Sequence, residues 1–229
     1  MALISRQLAR CGELIQFFVA QRLAGFAILD EPYLDGQSLG VFKSALEDCR
    51  FYLEYGSGGS TILAARLQKR FISVDTDPCF LESVRKKIGE LAPDQHLVHA
   101  DVGLTGPWGT PFWRRLTPHT LNKWTNSLEA PWRYMQSREG QDHPMLPDLI
   151  LIDGRFRVAA TLVCCAHLTA SPGTRIFVDD YAESPHYHVI EKYATLTATA
   201  GRMAIFQAAP LTSIEDLRTA IAEYSADWR

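Results

Sequence analysis

Six short runs constrain this chain more than anything else in it. FYLEY (51–55), RFISVD (70–75), HLVHAD (96–101), DLILID (148–153), TRIFVDD (174–180) and RMAIFQAA (202–209) are rich in Val, Ile, Leu and Phe, and most are apolar on both faces. A strand buried on both faces needs a layer on each side, which is the condition of a parallel sheet covered by helices. Those helices are offered by the intervening segments STILAARLQKR, PCFLESVRKKIGEL and RVAATLVCCAHLTA, with apolar residues near helical spacing. Repeated strand and helix units predict an α/β domain, a doubly wound and mostly parallel sheet with helices on both faces.

At 229 residues and 47% hydrophobic content, one such domain accounts for the whole chain, 1–229. Residues 1–50 read as a helical lead-in, with Leu39, Phe42, Leu46 and Cys49 on one face. The core spans 51–209 and carries an insertion at 103–147, too long to be an idle loop. Residues 210–229 form an accessory helix opened by a capping pattern from Thr212 to Glu215, with Ile214, Leu217, Ile221, Tyr224 and Trp228 on one face.

A net charge of −3 supplies no global positive field for nucleic acid or anionic lipid, so a small-molecule partner is expected. The apolar stretch ELIQFFVAQRLAGFAIL is broken by Gln16, Gln21 and Arg22 short of about 18 continuous apolar residues, so no membrane partner is expected either. Five cysteines, Cys11, Cys49, Cys79, Cys164 and Cys165, show neither zinc spacing nor a secreted disulfide framework, and a cytoplasmic location fits them. Oligomeric state, a homodimer included, is left open.

After FYLEY comes a glycine turn, GSGGST. A dinucleotide site would place a small residue third in GxGxxG/A, where helix and strand pack closely, but this chain has Thr61 there. The pattern acid-x-Gly-x-Gly-x-Gly/Ser is met by Glu54, Gly56, Gly58 and Ser60. On these residues the chain resembles the class I S-adenosylmethionine-dependent methyltransferases, whose sheets are of seven-stranded type. The resemblance covers roughly Phe51 to Ala209. It implies S-adenosylmethionine as cofactor, with Glu54, Gly56, Ser57, Gly58 and Ser60 against its methionine part, where a Cβ would clash. Asp75, about 20 residues on, is placed to accept from the ribose hydroxyls, with Asp77 as the alternative. Asp101 stands where the family puts an acid facing the adenine amine.

In open α/β sheets ligands lie beyond the carboxyl ends of the strands, which makes IDGRFR and VDDYAESPHYH the acceptor side. Asp153, Asp179 and Asp180 there resemble the metal acids of the magnesium-dependent catechol-type O-methyltransferases. That resemblance implies Mg²⁺ held by the three, with Asp153 and Asp179 catalytic and Asp153 also at the cofactor. The departures are Gly154, Arg155, Phe156 and Arg157 where a lysine is usual, and Asp180 where an amide is typical. The other reading makes these acids helix caps or direct contacts of cofactor and substrate.

Arg155 and Arg157 fit an anionic acceptor through the guanidinium fork, or else a solvated helix start. His186 is taken as a general base and Tyr181 as a substrate contact, with His188 as the alternative base. In the insertion, Trp108, Trp124, Trp132 and Tyr134 either stack on the acceptor, Trp132 foremost, or form a small core. The function expected is methyl transfer to a small molecule, O-directed. The competing expectations are a nicotinamide-dependent oxidoreductase and a non-catalytic protein that keeps the fold.

Overall fold

The computed structural model describes residues 15–112, 115–137, 146–169, 171, 173–209 and 213–229. Seven strands, β1 Phe51–Tyr55, β2 Arg70–Asp75, β3 Gln95–His99, β4 Leu149–Ile152, β5 Arg175–Val178, β6 Ala194–Ala200 and β7 Met203–Ala208, form one sheet in the order β3-β2-β1-β4-β5-β7-β6. The first five run parallel, while β7 pairs antiparallel with both β5 and β6. The expected doubly wound, mostly parallel sheet is what the chain forms.

Alternation along each strand divides the core in two. Phe51, Leu53, Tyr55, Ile72, Val74, Ile150 and Ile152 face α4 Pro118–Leu128, α5 Ala130–Gln136, α6 Arg157–His167 and α7 Ile214–Tyr224. Tyr52, Phe71, Leu149, Leu151 and Phe177 face α1 Gly36–Asp48, α2 Gly59–Arg66 and α3 Pro78–Ile88. Each fully buried Phe or Leu contributes roughly 1.5–3 kcal/mol. With Phe42 and Leu46 at 0% exposure, the lead-in from α1 onward is therefore integral to the domain. Asp35 caps α1, accepting from the backbone N–H groups of Gln37 and Ser38.

The edge strand β6, ATLTATA, is the element that apolar content does not reveal. It is mostly exposed, and its signal is alternating threonine followed by the turn Gly201-Arg202. The insertion supplies α4 and α5, which bury Trp124 and Trp132, so these two tryptophans are core; Trp113 lies outside the described residues. Thr212 also lies outside them, and α7 is capped by Ser213, whose Oγ accepts from Asp216 N at 3.1 Å. Cys49, Cys79, Cys164 and Cys165 are free, and Cys11 is outside the described residues. No helix of the described residues is long and apolar enough to cross a membrane.

Candidate active site

β1 lies between β2 and β4, so the chain leaves it in opposite directions and the loops after β1 and β4 flank a crevice. The two loops touch at backbone level. Gly56 has φ +102°, and a Cβ on it would sit 2.5 Å from the Gly154 nitrogen. Gly59 is bound differently, since its Cβ would overlap the Glu31 carbonyl of the lead-in. Gly58 alone among the three has nothing within 4 Å of its Cβ position. Gly58 is thus the position of this turn at which a side chain would meet no protein.

Under the turn lies a cluster of hydroxyls. Glu54, fully buried, accepts from Tyr52 Oη at 2.8 Å, from Ser60 Oγ at 2.5 Å and from Thr61 Oγ1, and Thr61 Oγ1 accepts in turn from Gly58 N at 2.9 Å. Burial raises the Glu54 pKa while Ser60 and Thr61 work against it. Glu54 and Ser60, expected against the cofactor, are thus turned inward and brace the loop from below. Ser57 Oγ joins the same cluster through Ser73 Oγ at 2.6 Å. The β-branched Thr61 is needed because its hydroxyl ties the turn to the acid.

Asp75 at the end of β2 lines the crevice, where its oxygens accept from Ser57 N at 3.1 Å and Asp77 N at 2.8 Å. Burial pushes its pKa up to about 7 against those two backbone donors. Asp77, the alternative, is 2% exposed and caps α3 through Cys79 N and Phe80 N. Asp101 is exposed, paired with Lys123 Nζ at 2.9 Å, and is not among the residues lining the crevice. Burial raises its pKa, but Lys123 and the Gly103 N–H outweigh that and hold it low. Ala100, Ser127, Leu128 and Phe156 line the region instead.

The crevice is shallow, with a volume of about 40 Å³, and opens to solvent. Over it stands the turn Pro107–Gly109, hydrogen-bonded to β2's end by Thr76 Oγ1 donating to Gly109 O at 2.8 Å. Trp108 at its tip is 83% exposed with φ +61°, a strained conformation for a bulky residue. Of the aromatics expected either to stack on the acceptor or to form a small core, Trp108 is the one that lines the crevice, while Trp124 and Trp132 are core.

The strand-end acids do not form a cation cage. Arg157, 4% exposed, donates from Nε to Gly154 O, from Nη1 to Asp179 O and Asp180 Oδ2, and from Nη2 to Asp153 O and Oδ1, at 2.7 to 3.3 Å. Five hydrogen bonds account for the five N–H groups of a guanidinium. Arg157 is therefore an internal countercharge, and its expected contact with the acceptor gives way to this one. Burial disfavours its charge, but Asp153 with Asp180 and Asp179 overrides that and raises its pKa. Arg202, from the β6–β7 turn, grips Asp179 through Nε at 2.9 Å and Nη2 at 2.8 Å, and reaches Asp180 Oδ1 at 3.1 Å. Among the described residues no three His, Cys, Asp or Glu side chains are grouped to hold a metal. The donor set does not fit Mg²⁺.

Three further expectations change. Tyr181 is buried, donates to Glu191 and packs on Phe206. Trp132 is buried, donates from Nε1 to Tyr55 Oη at 2.9 Å and stacks on His167. His186 is exposed against Tyr187 and does not line the crevice. Arg155, by contrast, does line it, and its buried Nε has no hydrogen-bond partner among the described residues. Burial and the neighbouring Arg157 both lower its pKa.

Comparison with solved structures places the fold. A methyltransferase-like protein of Silicibacter pomeroyi is similar over 87% of this chain and 100% of its own, at 25% identity and a TM-score of 0.69. An O-methyltransferase of Bacillus cereus in complex with SAH (16% identity, 86% and 91% coverage, TM-score 0.47) and a putative O-methyltransferase of Klebsiella pneumoniae (14%, 84% and 94%, 0.44) are more distant. No family model and no curated protein matches the chain. The seven-stranded sheet with its terminal antiparallel hairpin is a class I methyltransferase fold.

Proposed function

We propose that this chain transfers a methyl group from S-adenosylmethionine to a small anionic acceptor, at oxygen. The observation that carries the reading is the crevice between β1 and β4, lined by Gly56 of the glycine turn, the Asp75 carboxyl, Gly154 and Arg155, with open space over Gly58 in the same turn. These residues fit the cofactor: Gly56 to Gly58 would lie along its methionine part and Asp75 would accept from its ribose. Bound there, it supplies a methyl on a sulfonium, a leaving group already activated for in-line displacement.

What remains for the chain is to orient the acceptor and take its proton. Asp153 precedes the lining residue Gly154, has Oδ1 held by Arg157 and keeps part of its side chain exposed, so its other oxygen is the one offered for the second task. Burial raises its pKa even with Arg157 opposing. Arg155 supplies the orientation, as a cation on the crevice wall whose Nε awaits a partner.

Saturating S-adenosylhomocysteine should raise the melting temperature while NAD and ATP leave it unchanged. A ligand specific for the native state stabilises by roughly 2.7 kcal/mol at 100 Kd. No shift with millimolar S-adenosylhomocysteine, or one with NAD instead, would end this reading. Turnover on a panel of acceptors then separates an enzyme from a protein that only binds.

Arg155→Ala should lower kcat/KM for the acceptor about ten- to a hundredfold, the usual loss of a charge-assisted hydrogen bond, and leave the donor's Kd unchanged. Lysine should restore it in part, keeping the charge without the fork. Weakened donor binding with intact acceptor kinetics would assign Arg155 to the cofactor.

A further inference from the structure

We propose that Arg157 and Arg202 stand, as fixed cations, in the place a divalent ion would need at the ends of β4 and β5, and that this acid cluster takes no metal. The cluster resembles a metal site in composition alone. Asp179 is fully buried and spends both oxygens on Arg202; Asp180 divides its two between Arg202 and Arg157; Asp153 gives Oδ1 to Arg157. A hard cation needs six or more oxygens converging on one point, with waters making up the number. Here four of the six carboxylate oxygens already accept from guanidinium nitrogens at 2.7 to 3.0 Å, and a fifth, Asp180 Oδ1, lies 3.1 Å from Arg202 Nε.

The placement of Arg157 shows that the arrangement is built for a cation. It is the first residue of α6, where the helix dipole disfavours positive charge, and it is buried. Both terms oppose an arginine there; the acids and the carbonyls of Asp153, Gly154 and Asp179 favour it. The backbone concurs, because Phe156 and Asp180 adopt φ +61° and +57° on either side of the guanidinium. Those left-handed turns bring the Arg157 head back over the strand ends and set the Asp180 carboxylate between the two arginines. Arg202 arrives from a third direction, its own position held by backbone N to Asp35 Oδ2 at 3.0 Å and by Nη2 to Tyr33 O at 2.8 Å.

The proposal concerns the same site as the methyl-transfer reading but is separable from it, since cation binding is measured without donor or acceptor. Mn²⁺ would be titrated into the full chain and followed by electron paramagnetic resonance, for the wild type, Arg157→Ala, Arg202→Ala, and Arg202→Ala combined with Asp180→Asn. The wild type should show no site tighter than the millimolar range. Removal of either arginine should strengthen Mn²⁺ binding at least tenfold, and Asp180→Asn should abolish the gain. Arg202 is partly exposed and its replacement keeps the test open if Arg157→Ala does not fold. Micromolar Mn²⁺ binding by the wild type, lost in Asp179→Asn, would overturn the proposal. So would folded arginine variants that gain no site.

Discussion

Gly58→Val should abolish S-adenosylhomocysteine binding and leave the empty protein's melting temperature almost unchanged. The two effects separate because the Cβ position of Gly58 meets nothing of the protein, and its backbone is extended, open to any residue. A side chain there meets only the ligand. Overpacking of a close contact costs about 1–3 kcal/mol and often more, or roughly five- to over a hundredfold in Kd. Gly56→Ala should do the opposite and unfold the crevice itself, since φ +102° and a Cβ 2.5 Å from the Gly154 backbone leave it no room. The left-handed conformation alone costs about 1–3 kcal/mol. Calorimetric titration alongside thermal melts would read both, and wild-type affinity in a folded Gly58→Val protein would remove the ligand from this turn.

Arg157→Ala should be among the most destabilising single substitutions in the chain. Removing one partner of a buried ion pair leaves the other charge uncompensated, at about 3–5 kcal/mol, or roughly 6–20 °C in Tm for a domain of this size. The loss should depend on pH. Burial already raises the Asp153 pKa with Arg157 opposing it, so removal of Arg157 raises it further. A folded-state pKa above the unfolded value means the native state binds the proton more tightly. With Asp153 of the wild type already raised to about 7, both proteins hold that proton below neutrality. The penalty from this group therefore opens as pH rises through about 7, and the variant should lie closer to the wild type at pH 5 than at pH 8. Urea melts at pH 5 and 8 would test this, and a pH-independent loss would mean that packing, not charge, is what Arg157 supplies.

Strand content was legible wherever burial on both faces forced a continuous apolar run. It was not legible for β6, whose exposed threonines and alanines answer to pairing with β7 alone. In the site, the glycine turn and Asp75 could be read because they are set by local spacing, and the structure brings both to one crevice. The acids at the ends of β4 and β5 were equally visible as acids. Their partners were not, since Arg157 and Arg202 are 45 positions apart and meet only through the order in which β4, β5 and β7 lie side by side. For the same reason Glu54 was misjudged. A carboxylate next to a glycine turn points toward a ligand by default, and only the coordinates of Tyr52, Ser60 and Thr61 show it turned the other way.

The Arg202 contact also bears on the order in which the chain acquires its native state. Asp179 directly follows β5 and precedes the C-terminal hairpin in the chain, yet both side-chain oxygens take their hydrogen bonds from Arg202 of the β6–β7 turn, with Arg157 4.0 Å away. Until β7 docks on β5 those hydrogen bonds are missing, and Arg157 alone faces the buried carboxylate. Ala200 and Arg202 are drawn to the same place by Ser38 and Asp35 of the lead-in, so both ends of the polypeptide are required at once. During synthesis, where N-terminal segments emerge first, the strand-end acids are therefore the last part of this region to be fully paired.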